Sequence, residues 1–382
     1  MSKLKSPPIA VVIAGYARTP FTLAHKGAFA KVRPDDLLAA TMRGLLQKLP
    51  IDPKQIEDVI AGCAFPEAEQ GFNMARMVAL LAGLPHSVGG VTVNRFCGSS
   101  MQAIHQAAGA IQLNAGDAFL CGGVESMTRI PMTGFNPAPN PQLYQTLPAA
   151  YMSMGQTAEY LAKTFAISRQ AQDAFALCSQ QKAAAAQAAG RFHDEIIAVG
   201  NVTQDGCIRP DTTLEALASL KTAFDQHGTV TAGTASPLTD GASMTLVCSE
   251  NFAREHGLPM LARIRSIAVA GCAPERMGLG PVAATRKALQ RAGLSLADMA
   301  IIELNEAFAA QALACIQELE LDESRINLDG GAIALGHPLG ATGARITGKA
   351  AALLQREGKQ FALATQCIGG GQGIATILEA VS

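Results

Sequence analysis

Tryptophan is absent from these 382 residues, aromatic side chains make up only 5%, and charged ones 16%. Soluble chains ordinarily carry about 25% charged residues. With 49% hydrophobic content, so lightly charged a chain must bury much of itself, some of it in a subunit interface; intrinsic disorder is excluded. Thirty basic against 31 acidic residues leave a net charge of −1, which argues against an electrostatic nucleic-acid binder. No apolar run approaches the roughly 20 residues of a membrane span. The stretch 9–15 is too short for a signal-peptide core and reads as a first buried strand. The nine cysteines are odd in number, and none forms a Cys-x-x-Cys pair. A disulfide framework or zinc site is not expected, and a reducing, cytoplasmic setting is.

What the chain has in plenty is small residues, with 37 glycines, and a regular alternation of element types. Buried strands are predicted at 9–15, 58–64, 90–94, 117–122, 243–248, 264–270, 299–304, 326–329, 361–366 and 373–379. Helices are predicted near 35–48, 72–82, 98–113, 155–164, 168–189, 281–292, 306–319 and 341–356. This alternation implies an α/β fold with helices covering sheets. One offset, 243 residues, relates three consecutive elements. Ala40–Lys48 falls on Ala283–Arg291, Val59 on Ile302, and Cys97–Leu113 on Gly340–Arg356. A constant offset with matching element types predicts a duplicated α/β half. Between the halves, prolines at 131, 137, 139, 141 and 148 forbid long regular elements. A helix capped at Ser168 and turn-rich sequence follow, which together read as an inserted loop domain.

Four motifs can carry chemistry. Cys97, in Val91–Met101, sits at a strand-to-helix turn. A helix N-terminus there favours thiolate and makes a nucleophile, although most cysteines are simply buried. His337 stands in the glycine-rich run Gly330–Gly343, which has no Gly-Lys-Ser/Thr and so is not a P-loop. It is either a structural imidazole or a base. By the repeat it occupies an element equivalent to that of Cys97, and a pseudo-twofold would bring the two turns together. Cys367 precedes Gly369, Gly370 and Gly371, whose N–H groups can form an oxyanion hole or merely turn a hairpin. Asn305 and Glu306 suit a helix N-cap and first turn. The six other histidines show no metal-ligand spacing; His105 reads as packing or helix surface.

Taken in order, Asn94–Ser100, Gly122–Met127, Asn305–Phe308, Gly336–Pro338 and Cys367–Gly371 resemble the thiolase family over essentially the whole chain. Glu69–Asn73, Pro85–Val88 and Gly331–Pro338 look most like the bacterial branch that cleaves 3-ketoacyl-CoA in fatty-acid β-oxidation. The resemblance implies duplicated halves in a layered α-β-α-β-α core. Residues 1–119 with 238–262 would form one half, 263–382 the other, and 120–237 a loop domain for CoA and the acyl group. It implies thiolysis of 3-ketoacyl-CoA to acetyl-CoA and a shortened acyl-CoA, with no metal and no cofactor, CoA being a substrate. Cys97 would be the nucleophile and His337 its base. Cys367 would be the general acid, Asn305 the holder of a water, and Gly369 an oxyanion donor with Cys97. Ser236, Ala232, Phe224, Met277, Ala307, Phe308 and Met154 would line the pantetheine site, with Arg209 near the nucleotide. Ser153 replaces the His of short-chain biosynthetic members, which speaks against acetoacetyl-CoA specialisation. Phe135, Leu143, Tyr144, Leu147 and Tyr151 would line an acyl tunnel.

The rival readings are an acetoacetyl-CoA thiolase, a ketoacyl synthase, which lacks the final Cys-Ile-Gly-Gly-Gly, and a non-catalytic lipid-binding homologue, which would lose Cys97 or His337. A homodimer or dimer of dimers is expected, with strand 117–122 pairing across a twofold axis. An α₂β₂ complex with a hydratase–dehydrogenase subunit is permitted.

Overall fold

The computed structural model describes residues 9–381; the expected half-boundaries at residues 1–8 and Ser382 lie outside the described residues. Ten strands form one connected sheet. They are β1 (Val11–Arg18), β2 (Thr22–Leu23), β3 (Asp58–Gly62), β4 (Val91–Val93) and β5 (Ala118–Ser126), then β6 (Thr239–Ser249), β7 (Ala262–Gly271), β8 (Ile301–Leu304), β9 (Phe361–Ile368) and β10 (Gln372–Glu379). The order is β4-β3-β5-β6-β1-β7-β10-β9-β8, with β2 attached to β6. Parallel pairs lie toward both ends, β3 with β4 and β5 at one and β8 with β9 at the other. The strands between are antiparallel. Only Val12↔Arg263 and Ile13↔Ala262 join the two halves at β1 and β7.

Strands β1, β5 and β6 are buried along their whole length, as expected where helices cover both faces of a sheet. The helix Leu339–Glu357 packs on β5, β6 and β1 of one half and on β8 and β9 of the other. The helix Ser99–Gln112 lies beside it. Pro34–Gln47 covers the outside of the first half and Gly280–Ala292 that of the second. The result is the five-layer stack of helix, sheet, helix, sheet, helix. The repeat seen in the sequence maps outer helix on outer helix, β3 on β8 and central helix on central helix. The same offset carries Ala118 of β5 onto Phe361 of β9, a correspondence the residue identities alone did not reveal.

Several expectations are corrected. Residues 326–329 form no strand; only an isolated bridge joins Ile326 to Ile302. The helix predicted from 306 begins at Ala309. Phe308, extended at φ −146 and ψ 146, bridges to Ala235 instead. Strand β5 is bonded on both sides, by β3 and β6, so it has no free edge to offer a second copy. The free edge of that half is β4. Strand β5 also runs past residue 119, so the core sheet takes residues first assigned to the loop domain. Phe135, Leu143, Tyr144, Leu147 and Tyr151 are all exposed, Tyr144 packing on Tyr151 at 6.0 Å; within one chain they line no tunnel.

Candidate active site

The turn that carries Cys97 is built locally. Phe96 takes φ +42, and the Gly98 and Ser99 N–H groups donate back to Arg95 and Phe96 at 2.9 and 3.1 Å. A Cβ on Gly98 would lie 2.6 Å from Ile368 Cδ1. Glycine is needed there because this turn abuts the end of β9, where Cys367 and Gly369 stand. The Gln366 side chain donates to the Cys97 carbonyl and closes the contact. The Gly369 N–H and Cys97's own N–H both act on the Cys97 thiol. These are the two donors anticipated for an oxyanion hole. The three glycines also make the hairpin between β9 and β10, with Gly370 and Gly371 at φ +78 and +85.

Burial pushes the Cys97 thiol up to about 12, opposed by the N–H groups of Gly369 and Cys97, with the Glu125 charge raising it further. The helix N-terminus behind Cys97 therefore does not make a resting thiolate. Desolvation outweighs it. His337 is buried too, and burial aided by the Arg345 charge brings it down to about 3. The resting pair is a neutral thiol and a neutral imidazole.

The imidazole is oriented by groups on three segments. Its Nδ1 lies 2.6 Å from Thr342 Oγ1 and its Nε2 3.4 Å from Asn305 Nδ2. Thr239 Oγ1 accepts from the His337 backbone N–H at 3.1 Å. Thr342 Oγ1 also donates to the Pro338 carbonyl at 3.0 Å. One hydroxyl proton serves both Thr342 contacts only if Nδ1 carries hydrogen and donates, leaving the Nε2 lone pair toward Asn305. Asn305 is no N-cap: it follows β8, its N–H donates to the Thr365 carbonyl at 3.0 Å, and its Oδ1 makes no hydrogen bond among the described residues. Glu306 is likewise not in a first helical turn. It is buried, accepting from Ser179 at 2.6 Å, Asn327 at 2.7 Å and the Ile333 N–H at 3.2 Å.

Cys367 is buried against Met154, Met277, Ala307 and Phe308. Burial, and then the neighbouring Cys97, hold its thiol well above the ordinary range. Phe224 meets Phe308 edge-on at 5.7 Å and packs on Gly155. The Ser236 N–H donates to the Ala307 carbonyl at 3.0 Å. These residues border one region, beside which an open cleft of about 580 Å³ is lined by Phe224, Lys163, His227 and Glu159, among others. Ala232 is exposed near Ser236. Arg209 is exposed as well, its backbone N–H donating to Gln180 at 2.8 Å, and no hydrogen bond links it to the group around Cys367. Ser153 caps the helix Met154–Thr164.

Thr342, Thr239, Gln366 and Glu125 were not singled out from sequence. Hydroxyls and amides are too common to stand out. The one available signal was Glu125, a carboxylate ending the buried strand β5, where a charge must have partners. His105 is buried and bonded to Thr376 at 2.8 Å, a packing role. Among the described residues no group of three or more His, Cys, Asp or Glu could hold a metal ion.

Known proteins resemble this chain along nearly its whole length. It is 50% identical over 384 residues to a 3-ketoacyl-CoA thiolase of Pseudoalteromonas translucida, covering 97% of this chain and 98% of that protein. It is 53% identical over 387 residues to one of Shewanella denitrificans, covering 97% and 99%. The crystal structure of human mitochondrial 3-ketoacyl-CoA thiolase in complex with CoA matches with a TM-score of 0.90 at 39% identity, covering 98% of each chain. That of the Bacillus anthracis acetyl-CoA acetyltransferase matches at 0.91 and 38%, covering 99% and 100%. Residues 11–251 match the thiolase N-terminal domain and residues 258–380 the thiolase C-terminal domain. With both domains in order and a buried cysteine, histidine and second cysteine at their junction, the chain belongs to the thiolase family.

Proposed function

We propose that this chain is a 3-ketoacyl-CoA thiolase working through a Cys97 acyl-enzyme. The observations that support the reading are the Gly369 N–H and Cys367 beside Cys97 and Asn305 beside His337, with all four side chains buried. His337 Nε2 takes the Cys97 proton as the sulfur attacks C3 of the 3-ketoacyl-CoA. The Cys97 and Gly369 N–H groups hold the resulting oxyanion. Collapse breaks the C2–C3 bond, and the electron pair leaves as the acetyl-CoA enolate. Asn305, through a water, and His337 hold its thioester oxygen. Cys367 gives its proton to C2, completing acetyl-CoA. CoA then enters, Cys367 takes its thiol proton, the CoA sulfur displaces Cys97 to release the shortened acyl-CoA, and His337 returns its proton to the departing Cys97 sulfur. A neutral resting pair suits this sequence, because charge forms only where donors already wait.

CoA reaches the thiols past Met154, Phe224, Ala232, Ser236, Met277, Ala307 and Phe308, with the residues after β5, 127–237, acting as the loop domain and Arg209 near the nucleotide. The chain acts as a homo-oligomer. Phe72, at 91% exposure, Met77, Leu80, Leu81 and Val91 are apolar and exposed around the β4 edge; they support a dimer formed there. The uncharged stretch 130–158 with its exposed tyrosines and leucines supports a further contact, with a second dimer or an α-subunit. Nine free cysteines fit a reducing, cytoplasmic setting.

The test is to supply substrate without acceptor CoA and map the acyl adduct by peptide mass. An adduct on Cys97 is expected; an adduct on Cys367 alone would reverse the assignment. Turnover across C4 to C16 ketoacyl-CoA substrates then separates this reading from an acetoacetyl-CoA thiolase.

A further inference from the structure

Glu125, the penultimate residue of β5, is fully buried, and each of its hydrogen-bond partners donates to it. Its Oε2 accepts from the Ala64 and Gly340 N–H groups at 2.8 and 2.9 Å. Its Oε1 accepts from Gln70 Nε2 at 2.8 Å, the Phe65 N–H at 3.3 Å and the Cys63 thiol at 3.6 Å. Burial raises its carboxyl, while the Ala64, Gly340 and Phe65 N–H groups and the Gln70 amide oppose that shift and favour the carboxylate. Gly340 opens the helix that follows His337, and an anion at a helix N-terminus is stabilised there.

The Ala64 side of this clasp leads to the nucleophile. The Ala64 carbonyl accepts from Asn94 Nδ2 at 2.9 Å, and Asn94 Oδ1 accepts from the Phe96 N–H at 2.9 Å. One continuous path therefore runs from the turn of the base, through Glu125, Ala64 and Asn94, to the residue beside Cys97. The backbones along it are in close approach. A Cβ on Gly123 would stand 2.2 Å from the Gly340 carbonyl, and one on Gly340 would stand 2.6 Å from that of Val124.

We propose that Glu125 is a positioning residue whose carboxylate clasps the His337 turn to the Cys97 turn and so sets the spacing between base and nucleophile. It touches no substrate. This rests on the roles of Cys97 and His337 proposed above. A small misplacement of reacting groups costs up to about a hundredfold in rate, so the clasp should appear in kcat rather than in CoA binding.

Glu125→Gln keeps one acceptor oxygen and turns an amide NH₂ toward existing donors. Asn94→Ala breaks the next link at an exposed site, and decides the question should Glu125→Gln fail to fold. Both are assayed for thiolysis, with kcat expressed per Cys97 that can be alkylated. The expected result is a fall of about tenfold to a hundredfold in kcat with the KM for CoA within about twofold, and slower formation of the Cys97 adduct. Loss of thermal stability with unchanged kcat per reactive Cys97 would overturn the clasp. Absence of any adduct in the unaltered protein would overturn the reading beneath it, and the clasp with it.

Discussion

Cys97 and His337, proposed as nucleophile and base, show how burial governs the titration of both. An exposed thiol at a helix N-terminus is activated by partial positive charge, whereas here desolvation holds Cys97 near 12. A raised thiol value means less thiolate at neutral pH. The rate of Cys97 alkylation by iodoacetamide in the free protein should therefore climb from pH 7 to 10 without levelling. A plateau near pH 7 would show a resting thiolate instead. His337 depends on Thr342 for its tautomer, through the 2.6 Å contact at Nδ1. Thr342→Val conserves shape but leaves the Nδ1–H without an acceptor, at a cost of about 1–3 kcal/mol. That corresponds to a kcat lowered about tenfold to a hundredfold, with KM little changed, as steady-state thiolysis would show. The threonine hydroxyl was invisible in the sequence because nothing in its type or spacing separates it from the chain's other threonines.

The decisive elements are the two central helices, Ser99–Gln112 and Leu339–Glu357. Each starts at a turn bearing a reactive side chain, and their side-by-side packing brings those turns together. The approach depends on small residues: a Cβ on Gly343 would lie 2.3 Å from the Met101 backbone nitrogen. Backbone cannot yield as a side-chain end can, so Gly343→Val should separate the helices at their active ends. We expect a loss of several kcal/mol, comparable with overpacked cores, and near-complete loss of thiolysis in any fraction that folds. Urea unfolding and activity measured on the same preparation check both. At this scale most elements were legible from hydrophobic period. The failures, at 306–308 and 326–329, fall where side chains of Glu306 and Asn327 divert backbone into a buried hydrogen-bonded cluster.

Across the whole molecule, a buried ionic network ties the inserted segment to both halves. Arg18 of β1 pairs with Glu195 at 2.7 Å and Asp205 at 2.6 Å. Lys349 of the second central helix pairs with Glu195 at 3.0 Å and Asp329 at 2.7 Å. Phe192 lies against both cations, at 5.3 and 4.8 Å from its ring centre. Glu195 is thus the shared anion between halves far apart in sequence. Lys349 and Arg18 hold it below the ordinary carboxylate range despite its burial. Glu195→Gln leaves two buried cations short of a partner and should destabilise the protein by about 3–5 kcal/mol. Calorimetry at pH 7 measures this, and a change under about 1 kcal/mol would mean that the network is dispensable.

The α/β class and the duplication were legible in the residues alone, and so were the candidate site residues Cys97, His337 and Cys367. Periodicity and glycine-rich turns are local properties written in neighbouring residues, and the ordered motifs span the whole chain. The assembled fold sets the raised thiol of Cys97 and the lowered imidazole of His337, the edge open to a second copy, and the partners of Glu125 and Glu195. Each of these depends on desolvation or on contacts between residues tens to hundreds of positions apart. Burial and long-range hydrogen bonding belong to the assembled sheets and helices, not to any segment of them.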